Sequence, residues 1–153
     1  IRMYDINTKK KITVTSSGDP NIPRIWGNKV IWADVYNHQG YIAMYDISTK
    51  KTVDVTHQLD TDPSGNEYGA STGTHIDIQD EKIVYNKCVD DYEGKPGVYV
   101  YNISTGKSTL VYKYPEDIYT TPEVYDNIVV WGIDKNYVDS ADDNDIYLCN
   151  LVD

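Results

Sequence analysis

Phenylalanine is absent from this 153-residue chain, and cysteine and methionine occur twice each. Two cysteines, Cys88 and Cys149, are too few for a disulfide scaffold and lack the paired spacing of a metal site. They read as small buried apolar residues, with a Cys88–Cys149 bridge as the other reading. No apolar run approaches the roughly 18 residues that a membrane helix needs, so no membrane insertion is expected. Bases are scarce: 14 Lys and Arg stand against 24 Asp and Glu, a net charge of −10. A surface that negative repels phosphate backbones and anionic headgroups, which argues against nucleic acid as a partner. It suits cations, or a solvated surface outside the cell. No nucleophile elbow, glycine-rich phosphate loop or paired metal motif is present. Sustained helical periodicity is also missing.

What the sequence does have is tyrosine, fifteen of them beside three tryptophans, and repetition. Tyrosine buries a ring and keeps a hydroxyl that can reach a polar partner, which suits thin packing between sheets. The segment Met3-Tyr4-Asp5-Ile6-Asn7-Thr8 returns as Met44-Tyr45-Asp46-Ile47-Ser48-Thr49 and as Val100-Tyr101-Asn102-Ile103-Ser104-Thr105. A worn copy is Leu148-Cys149-Asn150-Leu151, and the second residues of the four copies lie 41, 56 and 48 positions apart. An independent unit, Ile22–Trp32, matches Thr121–Trp131 and more weakly His75–Tyr85. Two units recurring in the same order are strong evidence of structural repeats.

Each period holds four short strand-like runs, here lettered A to D. In the second repeat they are Pro23–Trp26, Lys29–Ala33, Tyr41–Ile47 and Thr52–Thr56. Strand B is apolar on both faces, with Val30 and Trp32 on one side and Ile31 and Ala33 on the other, as expected inside a stack of sheets. Four strands per period in the forties predict an all-β fold of β-propeller blades, each a four-stranded antiparallel sheet. The expected division is a partial blade over 1–18, blades over 19–59 and 60–114, and a partial blade over 115–153. That is about three and a quarter blades, or thirteen strands. A partial propeller of this kind is expected to be completed by another chain or copy. An open sandwich of similar hairpins is the competing fold.

The repeats resemble the TolB-like, or YVTN-like, propellers of archaeal and bacterial cell-surface proteins. The residues that carry the likeness are Pro23 to Trp32, Pro122 to Trp131, Tyr45-Asp46-Ile47-Ser48-Thr49, Tyr101 to Lys107, and Asp145-Ile146-Tyr147. The third repeat departs from the pattern, with Ile76 and Tyr85 where Pro and Trp are usual. The second has Tyr41-Ile42-Ala43 in place of the Asp-Ile-Tyr entry to strand C. The resemblance implies a non-enzymatic module, extracellular or at the cell surface, that binds protein or glycan or spaces other domains. The alternative it implies is the propeller part of a carbohydrate-active enzyme or peptidase whose active residues lie partly elsewhere.

Among chemistry-bearing residues, the acidic run Asp139-Ser140-Ala141-Asp142-Asp143-Asn144-Asp145 is the sharpest local feature. Calcium takes six to eight oxygen ligands, and Asp139, Asp142, Asp143 and Asp145 could supply several. The run lacks the glycine and distant glutamate of an EF-hand, and a solvated acidic loop is the competing reading. His38, His57 and His75 share no motif and read as surface residues. Asn102-Ile103-Ser104 is a glycosylation sequon that overlaps the turn of the repeat. Length variation concentrates in the B–C connections (34–40, 86–96, 132–144) and the D–A connections. These share one end of the sheets, which marks it as the expected binding face. The same connections carry fifteen acids against four lysines, whereas the A–B and C–D turns carry eight lysines against five acids.

Overall fold

The computed structural model describes residues 1–36, 39–55, 72–87, 96–114, 120–134 and 144–151. Every regular element among them is a strand, and there are thirteen. Sheet I contains β1 (Arg2–Asp5) and β2 (Lys10–Thr13). Sheet II contains β3 (Asn21–Trp26), β4 (Lys29–Tyr36), β5 (Gln39–Asp46) and β6 (Lys51–Asp54). Sheet III contains β7 (Thr72–Gln79), β8 (Lys82–Lys87), β9 (Gly97–Asn102) and β10 (Lys107–Lys113). Sheet IV contains β11 (Glu123–Tyr125), β12 (Ile128–Asp134) and β13 (Asn144–Asn150). Within each sheet the strands pair antiparallel in chain order. Sheet I is thus strands C and D, sheets II and III are complete, and sheet IV is A, B and C, as the repeats predict.

Turn chemistry repeats with the strands. The A–B turns pass through positive φ at Gly27, Asp80 and Asp126, and the C–D turns at Lys9, Lys50 and Gly106. Only Gly27 and Gly106 adopt that conformation without cost; elsewhere the repeat forces Asp or Lys into it. Each C–D turn is capped by the residue that ends strand C. The Asp5 carboxylate accepts from the Asn7 and Thr8 amides at 2.8 and 3.0 Å, and Asp46 accepts from the Thr49 amide at 2.8 Å. Asn102 does the same for Thr105 at 3.0 Å and also accepts from the Ser104 hydroxyl at 2.6 Å. The sequon at Asn102 is therefore built into a turn. One residue on, the amides of Ile47, Ile103 and Leu151 donate to the A–B turn carbonyls of Asn28, Glu81 and Asn127 at 2.7, 2.8 and 2.6 Å.

Three apolar layers join the four sheets. Val30, Trp32, Ala43 and Tyr45 pack toward sheet I, with Met3, Val14 and Ile47 at the margin. Ile31, Ala33, Ile42 and Met44, on the other face of sheet II, meet Ile76, Ile78, Ile83 and Tyr85 of sheet III. Val84, Val98 and Val100 then meet Val124, Val129, Trp131 and Ile133 of sheet IV. Trp32, Tyr85 and Trp131 are all the fourth residue of strand B, and each packs toward the preceding sheet. Burying an aliphatic side chain in such a layer stabilises by about 1.5–3 kcal/mol.

Strand B is longer than expected. It runs to Tyr36, Lys87 and Asp134, so Asp34 and Asn86 belong to strands and not to the connections after them. Both are buried. The reason at Asp34 is local: its carboxyl accepts from the Trp32 indole at 3.1 Å and from the Asp19 amide at 2.8 Å, so the polar group is satisfied inside. Strand A also starts earlier, at Asn21 and Thr72, each time ahead of a register shift against strand B.

Candidate functional site

The acidic run is described only in part: Asp139, Asp142 and Asp143 lie outside the described residues. Asp145 stands at the start of β13, opposite Ile133, half-buried, with its carboxylate accepting from the Tyr147 hydroxyl at 3.3 Å. His38, His57 and Cys88 also lie outside the described residues, while His75 is half-buried on β7. Cys149 carries a free thiol packed at the margin of the layer between sheets III and IV. Among the described residues, no group of three or more His, Cys, Asp or Glu is arranged to hold a metal ion.

The structure instead shows a cleft that sequence reasoning missed. It has a volume of about 500 Å³ and lies between the segment leaving sheet I and the face of sheet II that looks toward it. Trp32 and Ala43 line its apolar part; Asp34, Asp54, Tyr41 and Thr52 supply polar groups from strands B, C and D; Thr15, Ser16 and Ser17 supply hydroxyls from the D–A connection. Asp34 and Tyr41 are register partners close to the B–C hairpin tip, and Asp54 lies at the end of strand D far from the C–D turn. The cleft therefore opens at the end of the sheets where the B–C and D–A connections emerge.

Its origin is a single departure from the repeat. In sheet III the strand-B aromatic Tyr85 is paired across to Tyr99 on strand C, with ring centroids 5.5 Å apart and planes 18° apart. In sheet IV, Trp131 stacks on its partner Tyr147 at 5.7 Å and 8°. In sheet II the residue opposite Trp32 is Ala43. A phenol ring is missing there, and the space lies against the Trp32 indole. The sequence held this signal in Tyr41-Ile42-Ala43, where the usual entry to strand C ends in Tyr.

The floor of the cleft is rigidly held. Asp34 is only 3% exposed and is clamped from two sides by the bonds already described. Gly18, at φ 78°, packs so closely on that carboxylate that a Cβ would overlap its oxygens, so the D–A connection can pass only with glycine. Thr15 and Ser17 hydroxyls lie 3.3 Å apart and are exposed. The arrangement presents carboxylate and hydroxyl oxygens around a shallow apolar patch. Such a surface can accept hydrogen bonds from hydroxyl or ammonium groups, and it repels anions.

The other end of the sheets is already used internally. Asp5 and Asp46 cap turns. The Thr8 amide above all holds the Asp5 carboxyl below its ordinary range, and the Thr49 amide does so for Asp46. The Trp26 indole donates to Asp80 at 3.2 Å, and Lys29 pairs with Glu81 at 3.2 Å, tying sheet II to the A–B turn of sheet III. Outside the cleft, burial, then Tyr112 and Asp145 beside it, push the Tyr147 hydroxyl above the usual phenol range.

No protein family matches the chain, and no curated protein does. Among solved structures, the crystal structure of TolB from Acinetobacter baumannii is similar, with a TM-score of 0.66 at 15% identity. The alignment covers 97% of this chain and 34% of that one, so the chain spans about a third of the length of the structure it matches. The likeness, with the four antiparallel sheets, makes the fold that of a TolB-like β-propeller in part.

Proposed function

We propose that this chain is a non-enzymatic binding module, extracellular or at the cell surface, that holds a neutral glycan in the cleft beside Trp32. The observation that carries the reading is the Ala43 position, where the missing ring of the repeat leaves a cleft lined by carboxylates, hydroxyls and an indole. A sugar meets such a surface with its hydroxyls donating to carboxylates and its C–H face on the half-buried Tyr41 ring. The net charge of −10 favours a neutral glycan over a polyanionic one. Membership of the YVTN-like repeats of archaeal and bacterial surface proteins, and a place outside the cell, belong to the same proposal. The test is a panel of immobilised neutral and acidic glycans probed with the wild-type chain and with Ala43→Tyr. The expected result is binding to neutral glycans that Ala43→Tyr abolishes while the variant folds with an undiminished melting temperature. Binding that survives Ala43→Tyr, or no glycan binding at all, overturns the proposal.

A further inference from the structure

The end of the sheets opposite the cleft is level. Two residues join strand A to strand B in sheets II, III and IV, and four join strand C to strand D in sheets I, II and III. The Trp26–Asp80, Lys29–Glu81 and Gln79–Asp126 bonds hold neighbouring A–B turns together. Charge is sorted within this end. The C–D turns and their margins carry Lys9, Lys10, Lys11, Lys50, Lys51 and Lys107 against Asp5 and Asp46, a net of +4. The A–B turns and their margins carry Lys29 and Lys82 against Asp80, Glu81 and Asp126, a net of −1. The six C–D lysines are exposed, and none makes an ion pair or a side-chain hydrogen bond among the described residues. Strand A makes the contacts between sheets, β3 with β7 and β7 with β11, and strand D lies at the far edge of its sheet. The lysines therefore stand on the outer rim.

We infer that this end is a docking surface for a flat anionic lipid bilayer, held by the lysines of the C–D turns. Three observations set the partner. Turns of equal length present their tips to a plane, whereas the connections at the cleft end vary in length. The turn amides that could grip a single phosphate are already taken: those of Asn7, Thr8, Thr49 and Thr105 donate to the capping side chains. What is left is a spread of mobile ammonium groups, which suits a surface of many diffuse charges. The third observation is distance. This end carries +3 in all, which leaves −13 for the rest of the chain. The eight residues of β5 run from one end to the other, about 23 Å at 3.3 Å per residue. That is nearly three Debye lengths at physiological salt, so the field of the acidic end is cut about twentyfold at the lysines. The net charge of −10 thus governs the long-range field, and the rim governs contact. Adsorption by this end turns the cleft away from the lipid.

The experiment is co-sedimentation of the 153-residue chain with vesicles of phosphatidylcholine containing about 40% phosphatidylglycerol, at about 0.01, 0.1 and 1 M salt. The bound fraction is expected to peak near 0.1 M, at least roughly threefold above either extreme. At about 0.01 M the Debye length of roughly 30 Å exceeds the length of the strands, and the whole acidic chain is repelled. At about 1 M the lysines themselves are screened. Binding that only falls as salt rises, binding absent at every salt, or equal binding to pure phosphatidylcholine overturns the inference. Lys107 and Lys113 stand at the two ends of β10, both exposed, and locate the contact. At about 0.1 M, Lys107→Gln is expected to weaken binding about fivefold and Lys113→Gln not to weaken it. Equal losses from the two, or a loss from Lys113→Gln alone, overturn it. If Lys107→Gln lowers the melting temperature, Lys51→Gln takes its place. Ala43→Tyr is expected to leave vesicle binding unchanged, so this result is independent of the cleft. A chain that binds soluble polyphosphate and no vesicle has a linear polyanion as its partner, and the lipid inference fails.

Discussion

At the scale of single residues, equivalent positions with different side chains act as built-in controls. Lys9, Lys50 and Gly106 share one backbone conformation at φ 58°, 58° and 66°. A non-glycine residue there costs about 1–2 kcal/mol, partly offset by the entropy glycine loses on folding. Lys50→Gly is expected to stabilise by about 0.5–1 kcal/mol, and Gly106→Ala to destabilise by about 1 kcal/mol or more, in urea titrations. Asp46 and Asn102 form another pair. The Thr49 amide holds the Asp46 carboxyl below its ordinary value of 3.8. Its contribution stands in full above that value and is lost as the pH falls through the lower folded value. Asn102 caps the same turn with no charge. Asp46→Asn should keep the neutral-pH melting temperature and flatten part of the acid limb of a melting-temperature profile taken from pH 6 to 2.

Trp32 and Trp131 make the third comparison. The Trp32 indole N–H is bonded to Asp34, while that of Trp131 is buried with no partner among the described residues. Both substitutions to Phe leave some space behind. Trp32→Phe additionally removes one of the donors that hold a buried carboxylate, whereas Trp131→Phe removes an unsatisfied donor. Trp32→Phe is therefore expected to be the costlier by about 1–3 kcal/mol in thermal denaturation, and equal costs would contradict the assignment.

At the scale of elements, the strands and turns were legible because they are redundant. Met3–Thr8, Met44–Thr49 and Val100–Thr105 announce one hairpin three times, and the two-sided apolar pattern Val30–Ala33 announces a strand between two layers. Where strand B ends was not legible. Asp34 and Asn86 are polar, and polar residues after an apolar run read as loop until their partners are known; Asp34 finds its donors fifteen residues back and two residues back. The cleft escaped for the same reason, since it draws on strands B, C and D and on the D–A connection. Its one sequence signal, Ala43 in place of Tyr, reads as a worn repeat until Tyr99 and Tyr147 are seen stacked on their strand-B partners. The acidic run before β13 is an expectation of a different kind. Calorimetry with calcium on the wild type and on Asp142→Ala with Asp143→Ala is expected to show binding that the double variant loses. Heats at dilution background for both would remove calcium from the account.

At the scale of the whole molecule, two ends and two outer faces divide the work. The A–B turns tie sheet II to sheet III, and Asp5, Asp46 and Glu81 are taken up in the C–D caps and in the Lys29–Glu81 pair. The opposite end carries the cleft. On the outer face of sheet IV, Tyr125, Ile146 and Leu148 are exposed. The central claim is that the chain binds through the cleft end. The measurement that bears on it most directly is the backbone amide spectrum of the 17.4 kDa chain titrated with the best neutral glycan from the panel. Shifts are expected at Thr15 to Ser17, Tyr41, Ala43 and Thr52 to Asp54, with the turns at Asn7 to Lys10 and Ser48 to Lys51 silent. Shifts centred on those turns, or none at saturating glycan, would contradict it.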